Sequence, residues 1–252
     1  MFRPCIDLHS GKVKQIVGGT LSDTDDSPKT NFVSEKPSSW YAELYQKDEL
    51  KGGHIIRLGQ GNEEASMDAL KAYPNGMQIG GGITNENAVS YLEAGATHVI
   101  ITSFVFKNGR LNEKNLDLVL RETGKEKLVL DLSCRIRNDS YWIVTDRWQK
   151  FTDVELNSET LRQLTGYCDE FLIHAVDVEG LCRGIDWNLV ELLCNSKIPT
   201  TYAGGASSID DLIRITEETD NKIDLTIGSA LDIFGGNKIS YEEAVEYNKS
   251  LG

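Results

Sequence analysis

Short apolar runs alternate along this chain with longer stretches whose apolar residues recur at helical spacing, and the alternation repeats eight times. It predicts strands near residues 4–8, 54–58, 77–79, 98–102, 127–132, 170–175, 199–203 and 223–227. Helices are expected near 40–50, 63–73, 84–94, 112–122, 158–166, 186–194, 208–217 and 241–249. Punctuation agrees: Pro74-Asn75-Gly76 stops the second helix and Gly95 closes the third. Gly11 to Val17 reads as a short continuation of the first strand that turns back. Two stretches break the rhythm. Residues 18–37 are polar and rich in Gly, Ser, Asp and Pro, and residues 133–150 form a second excursion in which Tyr141 to Thr145 alternates like a hairpin strand. Connections of that length are uncommon unless they serve function, and both are expected to be mobile until a ligand orders them. Eight βα units in one chain argue for an α/β fold, a (β/α)8 TIM barrel, with a doubly wound open sheet as the alternative.

An internal repeat favours the closed form. Gly80-Gly81-Gly82 follows the third strand and Gly204-Gly205 the seventh; Thr102-Ser103 ends the fourth and Gly228-Ser229 the eighth. Asp7 ends the first strand and Asp131 the fifth. Equivalent positions lie 123–126 residues apart, half the chain length. The reading is one domain over 1–252, built from half-barrels of about 1–124 and 125–252. A glycine turn opening a helix presents free N–H groups to an anion, and glycine lets the backbone come close. Two such turns with two carboxyls imply a ligand carrying a phosphate at each end, with proton transfer between them. In a barrel all these residues fall on the C-terminal face of the strands.

Composition narrows the partners. A formal net charge of −13 argues against nucleic acid, and a phosphorylated ligand must be held by local dipoles against the overall field. No apolar run approaches membrane-span length, and Met1-Phe2-Arg3-Pro4 enters a strand without a signal-peptide pattern, so no membrane partner is expected. The five cysteines show no CxxC and no metal-ligand spacing, which points to reduced thiols and a cytoplasmic location.

With these residues in view, the chain resembles the isomerase family of histidine biosynthesis, the ProFAR isomerases, which act on phosphoribosylformimino-aminoimidazole carboxamide ribotide. The resemblance spans essentially the whole chain and rests on Ile6-Asp7-Leu8 with Gly11-Lys12-Val13, Gln78 to Ile83, Leu130-Asp131-Leu132, Ala203-Gly204-Gly205 and Ile227 to Ala230. It implies an Amadori rearrangement of an aminoaldose to an aminoketose on a bisphosphorylated ribonucleotide, with no metal and no cofactor. By resemblance Asp7 is the general base and Asp131 the general acid. One phosphate falls to Gly81, Gly82, Thr102 and Ser103, the other to Gly204, Gly205, Gly228 and Ser229. Trp148, with Trp142 as its rival, is placed to close over the imidazole.

Three departures point to a eukaryotic-type branch. His174 stands where bacterial members commonly carry Thr, and either donates to substrate, tunes Asp131, or packs the barrel. Arg57 replaces an acidic residue, and either contacts substrate or pairs with a barrel carboxylate. Asp177 to Gly184 keeps only the outline of the family's Asp-Gly-Thr turn. Two other readings stand beside the isomerase: the cyclase subunit of imidazole glycerol phosphate synthase, and a phosphosugar-binding barrel without chemistry. Phosphoribosylanthranilate is a further substrate that the sequence leaves open. A duplicated barrel completes its own site, so a monomer is expected.

Overall fold

A computed structural model describes residues 1–17 and 30–252. Its eight barrel strands are β1 (Cys5–His9), β2 (Gly53–Leu58), β3 (Met77–Gly80), β4 (Val99–Ile101), β5 (Leu128–Asp131), β6 (Glu170–His174), β7 (Thr200–Ala203) and β8 (Ile223–Thr226). Each pairs in parallel with the next, from β1 with β2 through to β7 with β8. Closure is made by a two-residue strand just ahead of β1. Phe2 and Arg3 pair with Leu225 and Thr226 of β8, whereas Cys5 onward pairs with β2. Pro4 sits at the break, where it has no N–H to leave unpaired, and its carbonyl accepts from His54 at 3.0 Å.

The eight helices are α1 (Ser38–Lys47), α2 (Glu63–Ala72), α3 (Ala88–Glu93), α4 (Glu113–Thr123), α5 (Ser158–Leu164), α6 (Trp187–Leu193), α7 (Ile209–Glu218) and α8 (Tyr241–Ser250). Strand alternation separates two cores. Ile6, Ile55, Ile79, Val99, Ile101, Leu130, Phe171, Ile173, Tyr202 and Leu225 join the large buried cluster shared with the helices. Their alternates, Ile100, Val129, Leu172 and Ala203 with Ile56, form a small cluster inside the barrel. Below it the interior turns polar but satisfied: Gln78 and Thr201 donate to the two oxygens of Glu170 at 2.8 and 2.7 Å, and Arg3 donates to Asp224 at 2.7 Å. Above it the same alternation carries Asp7, Asp131 and His174 to the mouth.

The two long excursions differ from a plain loop. Residues 18–29 of the first lie outside the described residues, and so does that part of the expected mobility. Thr30–Val33, however, is a strand pairing antiparallel with Lys12–Ile16, which itself returns along β1. The second excursion is a three-stranded antiparallel sheet, Cys134–Arg137, Ser140–Thr145 and Lys150–Glu155, of which only the middle strand was expected. Another correction concerns the glycine turns. Neither leads directly into a helix: α3 begins at Ala88 and α7 at Ile209. Ahead of α7 the N–H groups of Ser207 and Ser208 are taken by Asp211 at 2.8 and 3.2 Å, and Ser208 and Asp211 form a capping box that also takes the Asp211 N–H.

Candidate active site

A cleft of about 640 Å³ opens at the C-terminal ends of the strands. Asp7, Arg57, Gly81, Gly82, Thr102, Ser103, Asp131, Trp148 and His174 line it. A narrow recess beside it is lined by Gly204, Gly205, Gly228 and Ser229, with Gln15 and His54 beneath. Asp7, His174 and Glu179 border both spaces. The two expected phosphate seats thus lie on opposite sides of one titratable cluster.

Backbone geometry makes each seat. Gly81 and Gly82 have φ of +88° and +69°, and Gly204 and Gly205 have +125° and +78°. A Cβ on Gly81 would fall on the Arg57 carbonyl, and one on Gly205 on the Gly184 carbonyl. Only glycine satisfies both the left-handed turn and the close approach. The N–H groups of these turns and the Ser103 hydroxyl face the cleft and its recess, whereas the Thr102 hydroxyl donates to Asp131 at 3.4 Å and that of Ser229 to Gln15 at 3.4 Å.

The two aspartates share a strand position but not an environment. At Asp7, burial is the largest influence and the nearby Glu179 carboxyl adds to it, so the pKa is raised to about 7 despite opposing help from His174 and Gln15. Gln15 Nε2 donates to its Oδ2 at 3.2 Å. At Asp131 burial also pushes upward, but the His174 charge and hydrogen bonds from His174 and Ser133 outweigh it and hold the carboxyl below its ordinary value. Ser133 donates to Oδ1 twice, from its N–H at 2.9 Å and its hydroxyl at 2.6 Å, and His174 Nδ1 stands 3.4 Å away. His174 answers in kind: burial would neutralise it, yet Asp131, then Glu179 and Asp7, raise it to about 9. The proton at this end of the site therefore rests on the imidazole. His54, edge-on to His174 at 5.8 Å, is pushed down to about 3 by burial and by the His174 charge, so it stays neutral.

Two expected residues find clear positions. Trp148 packs on His174 with ring centroids 5.5 Å apart and lines the cleft. Trp142 instead donates to the Arg137 carbonyl at 3.1 Å and lies under the Arg137 guanidinium, so it serves the excursion sheet. Arg57 is on the outward phase of β2 and, among the described residues, pairs with no carboxylate of a barrel strand. It donates to the Gly81 carbonyl at 2.6 Å, stacks on Tyr91 and lies 3.8 Å from Glu63 of α2, which braces the first glycine turn from behind.

Four residues escaped the sequence reading. Gln15 and Ser133 hold the two aspartates, and His54 lies beneath His174. Glu179 is a buried carboxyl raised by desolvation, and among the described residues its Oε2 has no hydrogen-bond partner. Ser133 was within reach of sequence logic, being two residues beyond Asp131 where a side chain readily meets the backbone turn. Gln15 and Glu179 carried no such signal.

The sequence profile of the family described as "Histidine biosynthesis protein" matches residues 1–236. A Neurospora crassa protein is 51% identical over 98% of this chain and 98% of its own length, and a Saccharomyces cerevisiae protein is 49% identical over 100% and 99%. A Medicago truncatula protein, described as chloroplastic, is 54% identical over 98% of this chain and 81% of its own length. All three are named as isomerases of a bis-phosphoribosyl methylideneamino imidazole carboxamide. Among the described residues no helix is long and apolar enough to cross a membrane. With the family profile spanning most of the chain and relatives near half identity along its length, the chain belongs to the histidine biosynthesis protein family.

Proposed function

We propose that this chain isomerises the aminoaldose ribotide ProFAR to its aminoketose (ribulosyl) form in histidine biosynthesis, by acid–base catalysis. The observation that carries this reading is the placement of Asp7 and the Asp131–His174 pair between two glycine-built seats. That arrangement suits a substrate with a phosphate at each end and its reacting sugar in the middle. The imidazolium of His174, steadied by the Asp131 carboxylate, delivers a proton to the ribose ring oxygen. The ring C–O bond breaks and a Schiff base forms. Asp7 as carboxylate then takes the proton from the neighbouring sugar carbon, giving the enolamine. Protonation at the first carbon and loss of the hydroxyl proton complete the ketone, so no net proton is gained or lost. A base with a pKa near 7 and an acid near 9 are both in the right form at neutral pH. Trp148 provides a flat apolar face for the imidazole ring.

The names borne by the full-length relatives favour the isomerase over the cyclase, and the pair of oppositely tuned carboxyls favours chemistry over mere binding. Both seats and both carboxyls come from one chain, which supports a monomer. All five cysteines are free, in keeping with a reducing compartment such as the cytosol. Steady-state turnover of the aminoaldose, coupled to a glutamine-dependent synthase, tests the reading. Asp7→Asn and Asp131→Asn are each expected to lower kcat by about 10²–10⁴-fold. Tight binding of the bisphosphate without turnover by the unaltered chain would return the cyclase or the binding barrel to the front.

A further inference from the structure

Gln15 lies on Lys12–Ile16, the strand folded back along β1, and is only 2% exposed. Its amide is committed at both ends. Nε2 donates to Asp7 Oδ2 at 3.2 Å and lies 3.8 Å from Cys5 Sγ, while Oε1 accepts from Ser229 Oγ at 3.4 Å. Gly228 packs so tightly on Oε1 that a Cβ there would overlap it. Ser229 is held from outside by Asn31, whose Nδ2 donates to it at 3.2 Å and to the Gly180 carbonyl at 3.0 Å. A buried amide costs stability unless both its ends are satisfied, and an apolar side chain of the same volume would fill this space without that demand. What the amide adds is a polar tie from the second phosphate seat to the carboxyl beside it.

We propose that Gln15 is the positioning residue for Asp7: anchored at Ser229, it fixes the direction of the Asp7 carboxylate and stabilises its ionised form. The assignment of Asp7 as base rests on the isomerase reading above. Among the described residues the other groups facing Asp7 are Glu179 from the turn after β6, His174 from β6, Cys5 of its own strand and Tyr45 of α1. Of these, Glu179 opposes ionisation and His174 favours it. Among the described residues Gln15 is the neighbour that donates a hydrogen bond to the Asp7 carboxylate itself, and its loss leaves Glu179 less opposed.

Gln15→Met keeps the volume and removes both polar ends. The acidic limb of its kcat/KM profile is expected to move up by about one pH unit, so that the loss is about tenfold below the limb and shrinks above it. A loss equal at every pH would mark Gln15 as merely structural and overturn the proposal. Ser229→Ala, which leaves Gln15 in place but unanchored, is expected to move the same limb by less while raising KM; an effect on KM alone counts against the tie. Titration of the Asp7 carboxyl carbon by NMR separates this proposal from the functional one, because it needs no turnover. A higher Asp7 pKa in Gln15→Met, or in the likewise uncharged Gln15→Leu should the first variant not fold, supports the tie even if the substrate proves different. An unchanged value refutes it even in an active isomerase.

Discussion

Asp7 and Asp131 look alike in the sequence, each an acidic residue ending an apolar strand, yet the folded chain treats them oppositely. Asp131 receives two hydrogen bonds from Ser133 and faces a charged imidazole; Asp7 receives one from Gln15 and faces Glu179. The consequence is measurable as stability. The folded Asp7 carboxyl titrates near 7 instead of its ordinary 3.8, so between those values the folded chain binds more protons than the unfolded one and stability falls as pH rises. Asp7→Asn is therefore expected to melt above the parent at pH 8, by about 2–4 kcal/mol in unfolding free energy, with the gap closing toward pH 4. Thermal or denaturant melts at the two pH values check it, and equal stability at pH 8 would show that Asp7 is not strained by its site. The aspartates themselves were legible because each sits at a repeated strand end. Which one stays ionised was not, since that depends on His174, Ser133, Gln15 and Glu179, brought together from separate strands and turns.

At the scale of elements, the eight barrel strands were legible because their apolar runs are buried on both faces, and most helices fell within a residue or two of expectation. The excursion sheet was less so. Cys134–Arg137 and Lys150–Glu155 carry charges on half-exposed strands, so their alternation is too weak to read. At its tip Asp146, Arg147 and Trp148 have φ of 52°, 56° and 65°, a left-handed run without glycine. Such a run costs about 1 kcal/mol or more per residue and persists only where contacts hold it. Those contacts include Asp146 N–H on Ser103 Oγ at 3.1 Å, Lys150 on Asp146 at 2.9 Å, and Trp148 on His174. Two tryptophans in one sheet thus acquire different duties. Trp148→Ala is expected to raise KM at least tenfold with little change in melting temperature. Trp142→Ala should lower the melting temperature and leave KM within about twofold, since it loses packing and a hydrogen bond at the sheet, not a cleft wall. Identical kinetics for the two variants would contradict this division.

Taken whole, the molecule is strongly acidic while the ligand proposed for it is a bisphosphate, so on that reading capture depends on the glycine N–H groups and hydroxyls of the two seats. Short-range dipoles of this kind, on a chain of net charge −13, leave little long-range attraction for salt to screen. Raising sodium chloride from 20 to 300 mM is expected to leave kcat/KM unchanged or slightly higher; a fall of threefold or more would reveal a cationic funnel that the net charge of −13 conceals. The seam at Pro4 has its own consequence, in time. Phe2 and Arg3 must wait for Leu225 and Thr226, and at the usual pace of about 5–20 residues per second the ribosome takes roughly 11 to 45 seconds to supply them. Through that interval the nascent sheet keeps two raw edges that invite the wrong neighbour, and Gln15 has no Ser229 to hold it. Competence arrives in one late step, when the closing strand is delivered.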